Sequence, residues 1–224
     1  GVAFEDAEIA VAIGRAMQER IARDMAAWQE AGIACGRVAI NFASAEFADP
    51  GLAEAVLARF AAHGQSAARL EIEVTETVLL GSGIENVARI LQAFAAAGVT
   101  IALDDFGTGY ASLTHLKQFP VDHIKIDRSF VRDLVTDADD AAIVAAVISL
   151  GRSLGMVVTA EGVETEEQVQ RLRLMGCDRA QGFRFAKPMA ASRIPWLMRN
   201  WNPAMLSAAG EAEAPPAAKS RTVG

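Results

Sequence analysis

Six short apolar runs recur along this chain, and each delivers a polar or charged side chain at or near its C-terminal end. In order these are Asn41, Glu73, the pair Asp104 and Asp105, Lys125 with Asp127, Glu161, and Gln181. Between consecutive runs lies a stretch long enough and periodic enough to be helical. Strands alternating with helices predict an α/β fold with a parallel sheet, and ligands gather at the carboxyl ends of such strands. One strand ending in an acid means little. Six in succession predict one site assembled from across the chain.

The periodicity places the elements. Ile9, Ile13, Met17, Ile21, Met25 and Trp28 carry helical spacing over Ala7 to Ala31, ended by Gly32. Arg37 to Asn41 is a short strand, and Asp49-Pro50 opens a helix running to His63-Gly64. Arg69 to Thr75 alternates apolar and polar with a period of two. A helix over Ile84 to Ala97 stops at Gly98, and Val99 to Leu103 reads as a strand buried on both faces. The loop Gly107-Thr108-Gly109 leads into a short helix ending before Pro120, then the strand His123 to Asp127. Asp139 to Leu154 is a helix, Met156 to Ala160 a strand, and Thr165 with Gln168 a capping box for a helix to Met175. Asp178 to Gln181 is the last strand and Ala191 to Trp201 the last helix; the remainder, 207–224, reads as a disordered tail behind a domain of residues 1–206. A closed eight-stranded α/β barrel takes about 250 residues; this chain has 224 and shows six strands.

Composition narrows the function classes. A net charge of −7 and a pI near 5.1 speak against a partner that is a nucleic acid polymer. Cys35 and Cys177 lack CxxC spacing and read as small buried hydrophobes, not as a disulfide or zinc framework. The most apolar stretch, Ala141 to Leu150, is far short of the ~20 residues of a membrane span. With no visible signal peptide, a cytoplasmic location without membrane contact from this segment is expected. The chain opens on Gly1 and is expected to be an excerpt of a longer protein.

The sharpest segment is Asp104-Asp105-Phe106-Gly107-Thr108-Gly109-Tyr110. Like charges at ~4 Å cost about 4 kcal/mol at an effective dielectric of ~20, so adjacent acids at a buried strand tip need compensation. A divalent cation with hard oxygen ligands supplies it; an acid pair capping the next helix is the alternative. Alternation puts Lys125 and Asp127 on one strand face, where a buried salt bridge is the alternative. Glu161 alone would pass as a helix N-terminal acid, and Glu73 and Glu76 as solvated strand acids. Their convergence points instead to two divalent ions and metal-dependent phosphoester hydrolysis. Lys125 would then orient or activate water, with Asn41 a neutral ligand and Gln181 a positioning amide. His63, His115 and His123 show no catalytic spacing and are assigned surface or satisfied roles. The glycine-rich loop matches neither GxGxxG nor a P-loop.

The runs EIEVTET, ALDDFGTGYASL, FPVDHIKIDRSFV, TAEGVETEEQ and GCDRAQGFRFAKPM together resemble the EAL-type cyclic-di-GMP phosphodiesterases, over about Phe4 to Pro188. The resemblance implies a TIM-like (β/α)8 barrel that binds two Mg2+ or Mn2+ ions and linearises cyclic-di-GMP to pGpG. It implies Asn41, Glu73, Asp104, Asp127 and Glu161 as metal ligands, with Asp105 shared at the second ion and Lys125 holding the catalytic water. Glu76 would steady the Asp105–Tyr110 loop, and Gln181, Glu164, Gly162 and Pro188 would contact substrate or support the site. The same loop would form a homodimer surface, and a regulatory or cyclase domain would accompany this one in a parent protein that is membrane-anchored in some arrangements.

The chain departs from the family pattern where the Glu-Ala-Leu signature belongs. Glu54-Ala55-Val56, with Arg59 after it, looks similar but lies in the helix after the Asn41 strand. The missing Glu would be a metal ligand and the missing Arg a phosphate grip. Ala43 and Glu46 stand where the family usually has Ser and Gln. Weak or no turnover by this chain alone is therefore expected, and a non-catalytic cyclic-di-GMP receptor or interaction domain is the alternative reading.

Overall fold

The computed structural model describes residues 6–80, 83–107 and 118–201. Six strands lie side by side in chain order: β1 (Val38–Asn41), β2 (Leu70–Thr75), β3 (Thr100–Phe106), β4 (His123–Ile126), β5 (Val157–Ala160) and β6 (Arg179–Ala180). Every neighbouring pair is parallel. The sheet is an incomplete TIM-like barrel: β1 and β6 are its two edges. Parallel strands need long crossovers: α2 (Leu52–Ala62) lies between β1 and β2, α4 (Ile84–Ala96) between β2 and β3, α6 (Ala138–Leu154) between β4 and β5 and α7 (Glu166–Met175) between β5 and β6, while α1 (Ala7–Glu30) precedes β1 and α8 (Ile194–Asn200) follows β6. Two short helices, α3 (Glu76–Leu80) and α5 (Arg128–Arg132), follow directly on β2 and β4.

The period-two pattern of β2 sorts its side chains. Leu70, Ile72 and Val74 are fully buried and join Phe60 of α2 and Phe94 of α4 in one core. Ile101 and Leu103 of β3, Ile124 and Ile126 of β4 and Val158 of β5 extend that core around the sheet. Each such burial stabilises by about 1.5–3 kcal/mol. On the opposite face a TIM barrel normally stacks branched aliphatics. Here that face carries Glu71, Glu73, Asp104, His123 and Lys125, so its chemistry is charged where packing alone would ask for Val and Ile.

Local signals set the helix ends. Asp6 accepts from Glu8 N (3.0 Å) to start α1, Asp137 accepts from Asp139 N (2.8 Å) to start α6, and Thr165 with Gln168 closes a capping box on α7. Across the molecule, Trp28 Nε1 donates to Ala191 O (3.1 Å) and Arg199 Nη2 to Ala31 O (3.3 Å). These bonds join the end of α1 to the last helical segment.

Several boundaries differ from the sequence reading. The strands starting at Arg37, Met156 and Asp178 each begin one residue later, and β6 stops before Gln181. Gly182 explains that stop, since a Cβ there would lie 2.2 Å from Val163 O: the chain is pinned against the loop after β5 and leaves the sheet. The last helix opens with a 3-10 turn at Ala191–Arg193. Glu54 and Ala55 lie within α2. The predicted helix before Pro120, the loop through Tyr110 with its dimer surface, His115 and the tail 207–224 lie outside the described residues. Among the described residues, no helix is long and apolar enough to cross a membrane.

Candidate active site

Lys125 is the centre of the site. It stands on the inner face of β4, and its Nζ lies 2.6 Å from Glu73 Oε1 of β2, 3.0 Å from Asp104 Oδ1 of β3 and 2.7 Å from Glu161 Oε1 just past β5. An ammonium has three N–H donors, and three carboxylates face them. Glu73, Asp104 and Lys125 are buried. Burial alone would lower the Lys125 pKa, but the bonds to Glu161 and Glu73 outweigh it and hold the amine firmly charged. Burial pushes the Glu73 and Glu161 carboxyls up despite Lys125, and Asp104 pushes in the same direction.

A bulge brings the second acid into the site. Ala102 pairs with His123 and Leu103 with Ile124, then the register resumes at Phe106 opposite Ile126. Asp104 and Asp105 therefore share one partner position, that of Lys125. Strict alternation would send the two acids to opposite faces; instead Asp105 takes φ +53, an unfavourable conformation for a residue with a side chain. Its N–H donates to Asp104 Oδ1 (3.1 Å). One carboxylate oxygen each from Asp104, Asp105 and Glu161 come within 4.8 Å of one another.

Asp127 completes the group. It caps α5, accepting from Ser129 N (2.9 Å) and from the Ser129 hydroxyl. Its side chain also bonds to that of Asp105. Burial raises the Asp105 pKa first, and the charges of Asp104 and Asp127 raise it further. Burial would raise Asp127 too, but the two Ser129 bonds and the Asp105 bond bring it below the ordinary value. The two acids are thus pushed apart, Asp105 toward its neutral form and Asp127 toward its charged one. Five carboxylates against one ammonium form a donor set that fits divalent cations.

The remaining predicted residues sit around this centre. Asn41 ends β1 level with Glu73 and is exposed. Glu76 opens α3, is buried, and accepts the Gly107 N–H (2.9 Å), the first residue after β3. Gly162 follows Glu161 with φ +68, and a Cβ there would meet Arg128 Cβ at 2.5 Å. Gln181 is tied by its backbone, its N–H to Ala160 O (2.8 Å) and its C=O from Val163 N (3.0 Å), while its side chain is exposed. Glu164 is exposed and engages through its backbone N–H to Gln168 Oε1 (2.7 Å). Pro188 is exposed in the coil after β6. The structure thus brings together Glu73, Asp104, Asp105, Lys125, Asp127 and Glu161, whereas Asn41 and Gln181 lie at or just past the ends of the edge strands and Glu164 and Pro188 are exposed in the coils that follow β5 and β6.

Sequence reasoning passed over several supporting groups. Ser129 orients Asp127, and Gln168 Nε2 bonds Val131 O (3.0 Å) and Arg132 O (3.1 Å), tying the loop after Glu161 to α5. Glu46, buried under α1, accepts from Ala43 N (2.9 Å) and Gln18 Nε2 (2.9 Å) and sets the turn after Asn41. Gln168 left its capping box as a sequence signal, and Glu46 stood out only as a departure from the usual Gln. A hollow of about 940 Å³ lined by Ala39, Glu71, Arg179 and Arg37 lies at the opposite, N-terminal ends of the strands and contains none of the clustered acids.

The profile of the EAL domain family matches residues 2–188. The chain is an EAL domain. It is 40% identical over 190 residues to MucR of Pseudomonas aeruginosa, a bifunctional diguanylate cyclase/cyclic di-GMP phosphodiesterase, and covers 28% of that protein. It is 35% identical to the cyclic di-GMP phosphodiesterase NbdA of the same organism over 180 residues, 23% of that protein. The EAL domain thus spans about a quarter of the length of these curated relatives. Among solved structures, the MucR phosphodiesterase in complex with c-di-GMP superposes with a TM-score of 0.77 over 82% of this chain and 74% of that one, at 40% identity. The EAL domain of DcpA from Mycobacterium smegmatis gives 0.81 at 36% identity over 85% of each. BlrP1 of Klebsiella pneumoniae, solved with manganese and cyclic-di-GMP, gives 0.71 at 33% identity over 80% of this chain and 45% of that one. The family assignment is that of the cyclic-di-GMP phosphodiesterases.

Proposed function

We propose that this EAL domain hydrolyses cyclic-di-GMP to pGpG with two divalent cations, Mg2+ or Mn2+. The observation that carries the reading is the meeting of Asp104, Asp105 and Glu161 oxygens within 4.8 Å, above a buried lysine already holding Glu73. Asp104, Asp105 and Glu161, with Glu73, Asp127 and Asn41, would hold the ions. When bound, such ions supply Lewis acidity at phosphorus and a nucleophilic water near neutral pH.

The chain's own groups do the rest. Lys125, held charged by its partners, cannot take a proton near neutral pH and so is no general base; it would hold a water by turning to it one of the three donors now on Glu73, Asp104 and Glu161. Asp105, whose pKa burial and its acidic neighbours raise, would be favoured in its charged form by a cation held among these carboxylates, so metal uptake would be coupled to pH. Glu76 holds Gly107 and so fixes the exit of the chain from Asp105. Gly162 lets the backbone turn out of β5 past Arg128, which keeps Glu161 at the rim. Gln181, Glu164 and Pro188, all exposed, are proposed to meet the rest of the substrate. A cytoplasmic setting, a further regulatory or cyclase domain and homodimerisation belong to the same proposal; the bifunctional diguanylate cyclase/phosphodiesterase MucR supports the cyclase part.

The test is incubation of the protein with cyclic-di-GMP and Mn2+ and chromatography for pGpG. Turnover that Asp104→Ala abolishes supports hydrolysis. Tight binding independent of metal and without product would establish a receptor without turnover instead.

A further inference from the structure

His123 is 4% exposed, and its Nδ1 lies 2.9 Å from Glu71 Oε2. The carboxylate sits off the ring N–H direction, and this nitrogen has no aligned hydrogen-bond partner among the described residues. Glu71 is the anion that faces it. A buried polar contact without an aligned hydrogen bond is costly, and apolar residues of similar volume often stabilise as well or better. The inner layers of such barrels are normally filled that way. Its position in the sheet offers a reason for keeping it.

Glu71 and Glu73 lie two residues apart on the inner face of β2, and His123 and Lys125 two apart on the inner face of β4. β3 runs between them, and its inner residue at this height is Ala102, level with both Glu73 and His123. A methyl group is small enough for side chains to reach across. Two bridges therefore cross β3 from β4 to β2: Lys125 to Glu73 at 2.6 Å and, one tier below, His123 to Glu71. The upper bridge sits at the Asp104–Asp105 bulge, where the β3–β4 ladder has lost its register. The lower one sits on the last regular rungs, Ala102 with His123 and Leu103 with Ile124. Below the bulge, the lower bridge is the side-chain tie that holds β4 to β2.

We propose that His123 and Glu71 are positioning residues for this site, tying β4 to β2 beneath the bulge and thereby setting where Lys125 stands relative to Glu73. The inference rests on the phosphodiesterase reading above for its activity arm and on the cation-binding part of that reading for its Mn2+ arm. Outer partners of metal-site residues typically change affinity or activity by roughly 10–100-fold when removed.

The test compares His123→Leu, His123→Asn and the double variant His123→Leu/Glu71→Leu with the unaltered protein. Asn carries an amide nitrogen at the same bond distance from Cβ as Nδ1, so it retains the donor. Three quantities are read: kcat and KM for cyclic-di-GMP, the Mn2+ dissociation constant by calorimetry, and Tm. His123→Leu is expected to lower kcat and weaken Mn2+ about tenfold with KM little changed, and His123→Asn to recover most of both. The double variant removes both partners, so its Tm returns to the starting value while kcat and Mn2+ binding stay impaired. A double variant with unaltered kcat and Mn2+ affinity overturns the proposal, as does an Asn variant as impaired as Leu. If His123→Leu fails to fold, the Asn and double variants decide it. A protein without turnover of cyclic-di-GMP would refute the functional reading, and the Mn2+ arm would still judge this one.

Discussion

Replacing Lys125 by Met removes the one ammonium from a group of buried acids. At ~3 Å and an effective dielectric of ~20, each unit-charge contact is worth about 5–6 kcal/mol before desolvation. Desolvation takes back most of that, and breaking a buried pair by removing one partner typically costs ~3–5 kcal/mol. The Lys125 side chain is 6% exposed, so solvent gives little relief. We expect Lys125→Met to lose about 3–5 kcal/mol at pH 8 without added metal. The loss should shrink toward pH 5. Glu73 and Glu161 have raised pKa values in the fold, so the folded state takes up protons the unfolded chain does not, and the fold gains as pH falls through that range. Without the ammonium the upward shift is larger, and protonation cancels more of the repulsion. Urea unfolding of both proteins at pH 5 and pH 8 measures this. A loss below about 1 kcal/mol at pH 8, the range of an exposed pair, or one identical at both pH values, would refute the buried-cage account. The same variant should abolish turnover while binding Mn2+ more tightly, because the carboxylates lose a competing cation.

Other outcomes follow from the same geometry. Mn2+ affinity should rise with pH and binding should release protons, because burial and the neighbours Asp104 and Asp127 raise the Asp105 pKa; calorimetry in buffers of different ionisation enthalpy counts them. Gly162→Ala places a methyl 2.5 Å from Arg128 Cβ at φ +68 and should destabilise by about 1–3 kcal/mol, read by thermal unfolding. Glu76→Ala leaves the Gly107 N–H without this acceptor, costing about 1–3 kcal/mol and lowering turnover, whereas Glu76→Gln should retain stability.

The barrel wall was readable because its signals are local. Leu70, Ile72 and Val74 alternate with Glu71, Glu73 and Thr75, and α6 and α7 carry side-chain caps at Asp137 and Thr165. Chain-order pairing then follows because consecutive elements are usually neighbours in space, and the acids at the strand ends converge. What was hidden depends on contacts between distant residues. Asp105 reaches the site only because the register slips beside β4, which no pattern within 100–106 announces. Helices α3 and α5 are too short for a period to emerge. His123 read as a satisfied histidine because its partner, Glu71, is two strands away, and Glu46 read as a substitution until α1 packed over it.

The central claim is that the strand-end acids form a binding site for two divalent cations. Mn2+ titration of the protein by calorimetry at pH 8 tests it most directly, with Asp104→Ala and Asp105→Asn alongside. The account predicts saturable uptake of two ions, with both variants losing stoichiometry or affinity. Absence of saturable Mn2+ binding, or binding that both substitutions leave unchanged, would contradict it.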